Sequence, residues 1–142
     1  MAATSRLLLA PIKYSEISFA PTYGIAPATC GELVQGYLHG RDFLVNSPIP
    51  LFAKVKVEIN ANSGITLTNE GVYAKMTQTL TLFLRKFALE DFGIKVTVLS
   101  DIPRGKGLAS STSELTAALL AAANFFSIPL SDLVLPHMEV AG

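Results

Sequence analysis

The sequence predicts an α+β fold, and three observations carry that prediction. Short apolar runs broken by Gly, Pro and Asn fill residues 17–59, a helical periodicity occupies 72–87, and a strand, a glycine loop and an Ala-rich stretch follow one another from Ile94 to Phe126. At 142 residues the chain is expected to form one domain over its whole length, with enough material for a real hydrophobic core.

Ile17 to Ile59 reads as several strands joined by turns. His39-Gly40-Arg41-Asp42 lies between Leu33–Leu38 and Phe43–Val45, which predicts a hairpin. Pro48 and Pro50 mark a bend, after which Val55, Val57 and Ile59 alternate with Lys56 and Glu58 as a half-buried strand does. Val72, Met76, Leu80, Phe83, Leu84 and Phe87 recur at helical spacing, which predicts a helix of about four turns. Ile94, Val96 and Val98 alternate as a strand, a loop runs from Asp101 to Ala109, and Leu115 to Phe126 suits a buried helix. Ile128-Pro129 interrupts that helix, Ser131 is positioned to cap a short final one, and Pro136 falls in its second turn.

Composition excludes several function classes. Half of the residues are apolar and 15% are charged, so disorder is not expected. Lys plus Arg equals Asp plus Glu at 11 each, leaving no basic excess for a nucleic-acid backbone or an anionic membrane. The apolar run Leu7–Ala10 is too short for a signal-peptide core or a membrane span, and residues 1–16 read as a loose start. Cys30 is the single cysteine, which fits a reducing, cytoplasmic setting, and it reads as a small buried hydrophobe, not a nucleophile. His39 and His137 have no second ligand at metal spacing and read as solvated or structural.

The segment that carries chemistry is Pro103-Arg104-Gly105-Lys106-Gly107-Leu108-Ala109-Ser110-Ser111-Thr112. Its glycines permit close backbone approach, and hydroxyls follow at a helix start. First-turn amides lack intrahelical partners and the helix dipole adds positive potential, so an anion there gains several hydrogen bonds together, with Lys106 adding a full charge. The spacing matches neither the Walker A loop nor the dinucleotide GxGxxG pattern. The same residues also read as a capping box, with Ser111 and Glu114 as its reciprocal partners and no ligand involved.

The string Pro-x-x-x-Gly-Leu-Ala-Ser-Ser resembles the central motif of the GHMP small-molecule kinases, Pro-x-x-x-Gly-Leu-Gly-Ser-Ser, with Ala109 in place of a glycine. The resemblance implies a GHMP kinase N-terminal domain, a mixed twisted sheet with helices packed on one side. It also implies that Pro103 to Thr112 wraps ATP, that Ser111 helps hold Mg2+, and that Lys106 and Ser111 serve catalysis. Pro27-Ala28-Thr29-Cys30-Gly31-Glu32-Leu33-Val34-Gln35-Gly36 is similar to the family's first motif in the form found in its L-threonine kinase branch, which serves cobalamin side-chain synthesis. That likeness implies an amino-acid acceptor, with Thr29, Cys30, Gly31, Glu32 and Gln35 beside it. Glu32 reads either as a contact to the substrate ammonium or as a turn residue.

Family members usually run to about twice this length, with a second domain that is not expected within these residues. Their metal carboxylate follows the central motif by a few tens of residues, and Glu139 is the nearby candidate here. A domain without its partner exposes apolar surface, so a homodimer is an expectation. The alternatives are another GHMP activity, such as homoserine or diphosphocytidyl-methylerythritol kinase, and a catalytically incompetent nucleotide-binding fragment.

Overall fold

The computed structural model describes residues 20–69 and 73–133. Two long strands, β1 (Thr22–Leu38) and β2 (Arg41–Asn60), form one antiparallel hairpin. His39 and Gly40 close it with φ of 51° and 78°, the pair of positive dihedrals that a two-residue turn between twisted strands needs. The turn is tighter than the sequence indicates, because Arg41 and Asp42 already pair with Leu38 and Tyr37.

Pro48 and Pro50 bend β2 without ending it. Pro27 faces Phe52 whereas Ala28 faces Ile49, so β2 gains residues at that point and the register slips. A third strand, β4 (Gly93–Val98), pairs with β2 only from Val55 to Asn60. The prolines thus lie where β2 has a neighbour on one side alone, the position at which a missing N–H is tolerated.

The sheet order is β1-β2-β4-β3, and the edge strand β3 (Gly64–Leu67) runs parallel to β4. Sequence periodicity missed β3, since four residues give one alternation, Ile65 and Leu67 about Thr66. Parallel neighbours require a crossover, and α1 (Ala74–Lys86) supplies it. Asn69 extends the pairing: its Oδ1 accepts the Val98 amide at 2.7 Å and its Nδ2 donates to the Val98 carbonyl at 3.1 Å.

The expected helical face of α1 is present, with Met76, Leu80, Phe83 and Leu84 buried. Val72, Pro136, His137 and Glu139 lie outside the described residues. The second helix, α2 (Ser110–Phe125), is longer toward its amino end than its apolar stretch indicates. It ends at Phe125 with Phe126 as its C-cap, and Ser127, with φ of 54°, follows just before the Ile128-Pro129 interruption. Ser131 is no cap, because Leu130–Leu133 forms a single 3-10 turn with Ser131 inside it.

Both helices cover one face of the sheet, where Val55, Val57, Ile94, Val96 and Val98 are buried. The opposite face keeps charge, with Lys56 Nζ 3.0 Å from Glu58 Oε2. Phe83, Phe125 and Phe126 close the core beside the carboxyl end of α2, with the last two rings edge to face at 4.9 Å between centroids.

Small residues set how α2 meets β1. Ala117 and Ala121 face Gly24, and a Cβ on Gly24 would collide with the Ala117 carbonyl oxygen and stand 2.6 Å from the Ala121 amide nitrogen. The Ala-rich composition of α2 therefore brings backbone against backbone. Gly24→Ala is expected to lower folding stability by about 2 kcal/mol through overpacking, read as a reduced denaturant midpoint with an unchanged slope.

Candidate functional site

The site grows out of the carboxyl end of β4. Leu99 donates its amide to the Lys54 carbonyl at 2.7 Å, which prolongs the sheet by one rung, and Ile102 is buried as an anchor. Beyond Ile102, Pro103 to Gly107 are exposed, and Leu108 to Ser110 are half-buried. Gly105 and Gly107 both hold φ of 70°, and a Cβ on either would meet nothing within 4 Å. Their conformation favours glycine and their surroundings are open, so the loop backbone is free to take an incoming group.

The helix start decides between the two sequence readings of this segment. Ala109 is the N-cap, in the left-handed region at φ 54° and ψ 36°, and no side chain caps the helix. The capping box with Ser111 and Glu114 is therefore not formed. The helix begins two residues too early for Ser111 to cap it, and the Glu114 carboxylate is bonded elsewhere. The first intrahelical bond runs from the Ser113 amide to the Ala109 carbonyl at 3.0 Å. The amides of Ser110, Ser111 and Thr112 have no backbone or side-chain acceptor among the described residues. A helix amino end in this state offers several donors and about half an elementary positive charge to an anion.

Two cross-connections lock this end of α2 to β1. The buried Ser113 hydroxyl lies 2.8 Å from the Pro27 carbonyl and 3.0 Å from that of Ala109. Thr29 donates its amide to the Leu108 carbonyl at 3.2 Å. The start of the first motif is thereby joined to the glycine loop.

Other first-motif residues are placed differently. Gln35 is exposed on the hairpin arm opposite Leu44, six residues along β1 from Thr29 and so on the order of 20 Å away in extended chain. The structure does not bring it to the loop. Cys30 is exposed, not buried as its residue type predicts, because it sits where the β1–β2 register shifts again, on an edge strand. Gly31 and Glu32 belong to β1 by backbone, and the Glu32 side chain lies outside the described part.

In front of α2 lies a cleft of about 230 Å³. Its walls include Tyr73, Lys75 and Met76 from the start of α1, Arg104 from the loop, and Ser111 and Glu114 from α2. Glu114, with its side chain 3% exposed, accepts from Arg104 Nη2 at 2.7 Å, and the guanidinium carbon stands 4.7 Å from the centre of the Tyr73 ring. Sequence reasoning missed Tyr73 and the Arg104–Glu114 pair. Ten residues separate the charges and no helical spacing links them, so only the folded loop makes the connection.

A nucleotide triphosphate fits the donor set: unpartnered amides, hydroxyls on Ser110, Ser111 and Thr112, and free space over the two glycines. For a divalent ion, the described residues contain no group of three or more His, Cys, Asp or Glu side chains. The Ser111 hydroxyl is the oxygen at hand, and phosphate oxygens and water are the ordinary remaining ligands of Mg2+. No helix of the described residues is long and apolar enough to cross a membrane.

Residues 73–141 match the GHMP kinases N terminal domain. The chain is similar to an L-threonine kinase of Citrobacter freundii, 34% identical over 116 residues that cover 81% of this chain and 39% of that protein. An L-threonine kinase of Salmonella typhimurium is 32% identical over 81% of this chain and 37% of that protein. The chain thus spans less than two fifths of the length of the curated relatives it matches. Among solved structures, homoserine kinase from Cytophaga hutchinsonii shares the fold, with a TM-score of 0.63 and 20% identity across 84% of this chain and 40% of that one.

Because Ser111 caps nothing, Ser111→Ala should leave thermal stability within about 0.5 kcal/mol of the parent. A loss of about 1 kcal/mol or more in denaturant unfolding would restore the capping role.

Proposed function

We propose that this chain, which carries a GHMP kinase N-terminal domain across residues 73–141, binds ATP at the amino end of α2 and passes its γ-phosphoryl group to the side-chain hydroxyl of free L-threonine. The observation that supports nucleotide binding above all is the uncapped start of α2 facing two open glycines. The acceptor rests on the likeness to L-threonine kinases over 81% of the chain.

In this reading the amides of Ser110, Ser111 and Thr112 donate to phosphate oxygens, and Pro103 to Gly107 wrap the chain of phosphates. Lys106 adds positive charge, and the Ser111 hydroxyl is the protein ligand for the Mg2+ that travels with ATP. The bond from the γ-phosphorus to the ADP oxygen breaks, a bond to the threonine oxygen forms, and the hydroxyl proton is released. O-phospho-L-threonine is the product, which suits a cytoplasmic step toward the aminopropanol linker of cobalamin. Such a transfer depends mainly on alignment and on neutralising charge over the phosphate oxygens, so a dedicated strong base is not required.

Thr29, joined to Leu108 through its amide, places the acceptor beside the loop, with Cys30, Gly31 and Glu32 next along β1. Gln35, far along the arm, is assigned no substrate contact. Glu139 remains the carboxylate proposed for the metal. Exposed Leu33, Val34, Tyr37, Leu38, Phe43 and Leu44 on the arm favour self-association into a homodimer or cover by a further domain.

A second reading is that these residues bind nucleotide without turning it over. A coupled assay for ADP release separates the two: L-threonine should support turnover and homoserine should support much less. Calorimetric binding of Mg-ATP with turnover at background would favour the second reading, and a preference for homoserine would reassign the acceptor. Gly107→Val should weaken Mg-ATP binding at least tenfold, because it places a branched side chain where the phosphates approach and strains a positive φ.

A further inference from the structure

Glu114 is a buried carboxylate within two turns of a helix end to which an anion is assigned, and that placement works against the anion. The helix dipole welcomes negative charge at this end, and a fixed carboxylate beside it repels a second negative group. Arg104 resolves the conflict. Its Nη2 donates to Glu114 Oε2 at 2.7 Å, while its guanidinium carbon lies 4.7 Å from the centre of the Tyr73 ring. The arginine therefore connects the start of α1, the glycine loop and α2 around one cleft. Glu114 is 3% exposed in its side chain and Arg104 is 50% exposed, so the carboxylate is the fixed member and the guanidinium faces the opening.

We propose that Arg104 and Glu114 are a positioning pair: Arg104, held between Glu114 and the Tyr73 ring, cancels the buried carboxylate so that the open amides of α2 can receive polyphosphate. This rests on the nucleotide reading above and deepens it, since neither side chain then acts by touching the nucleotide. Arg104, which the glycine-loop motif places among the ATP contacts, acts instead through Glu114. Glu114 belongs to no capping box.

The test is a double-mutant cycle on the 142-residue chain, with Mg-ATP binding followed by calorimetry and folding by thermal unfolding. Arg104→Met leaves a bare buried carboxylate near the phosphates and should weaken binding on the order of tenfold. Adding Glu114→Gln removes that charge and should bring the double variant back to within about threefold of the parent. A direct ATP contact by Arg104 predicts the reverse, with the double variant as weak as Arg104→Met alone, and that result overturns the proposal. So does undiminished binding in the single variant. Should Arg104→Met fail to fold, the double variant, which holds no unpaired charge, decides alone: affinity near the parent's supports the pair and a tenfold loss refutes it. No Mg-ATP binding by the parent chain would remove the nucleotide reading itself, and this inference with it.

Discussion

Backbone-to-backbone contact between α2 and β1 at Gly24 governs where the site can form. The helix presents Ala117 and Ala121 to a strand position with no side chain, and a single methyl group on that strand would displace it. Once α2 is seated, Ser113 reaches the Pro27 carbonyl and Leu108 receives the Thr29 amide. The glycine loop is thus held at both ends, by the buried Ile102 on the side of β4 and by these two bonds on the side of β1. A loop pinned in this way can keep positive φ at Gly105, Gly107 and Ala109 without support from a ligand.

The same seating leaves polar groups unsatisfied at the helix start. Ordinary proteins cap such an end with Ser, Thr, Asp or Asn, and three hydroxyl residues stand there in sequence. They nonetheless stand one, two and three positions past the N-cap, which Ala109 occupies. Ser111 consequently lines the cleft while the amides of the first turn stay without acceptors. Arg104 and Glu114 add opposite charges that balance beside them, which keeps the local potential dominated by the helix.

Much of this was legible in the sequence, and the failures have physical causes. Strand alternation at Val55, Val57, Ile94 and Val96, the helical face of α1, and the strand-loop-helix order each follow from periodicity that burial enforces. β3 escaped because four residues carry too little pattern, and its place depends on parallel pairing to a strand that comes later in the chain. The burial expected of Cys30 was wrong because residue type reports an average environment, while this cysteine sits at a register slip on an edge strand. In the site, the glycine loop and the rival capping box were both readable as motifs, but which of them forms was not. A shift of two residues in the helix start, from a cap at Ser111 to one at Ala109, separates those outcomes. The Arg104–Glu114–Tyr73 cluster joins three segments with no common spacing, so no linear pattern encodes it.

If ATP is held as proposed, the first-turn amides of α2 are its phosphate donors. A proton–nitrogen NMR titration with Mg-ATP addresses those amides one by one. ATP bound in this way gives the largest saturable shifts at Ser110, Ser111 and Thr112, with Gly105 and Gly107 following the same binding curve. Unmoved resonances at these positions, with saturable shifts confined to the hairpin arm or to the charged face of the sheet, would contradict it.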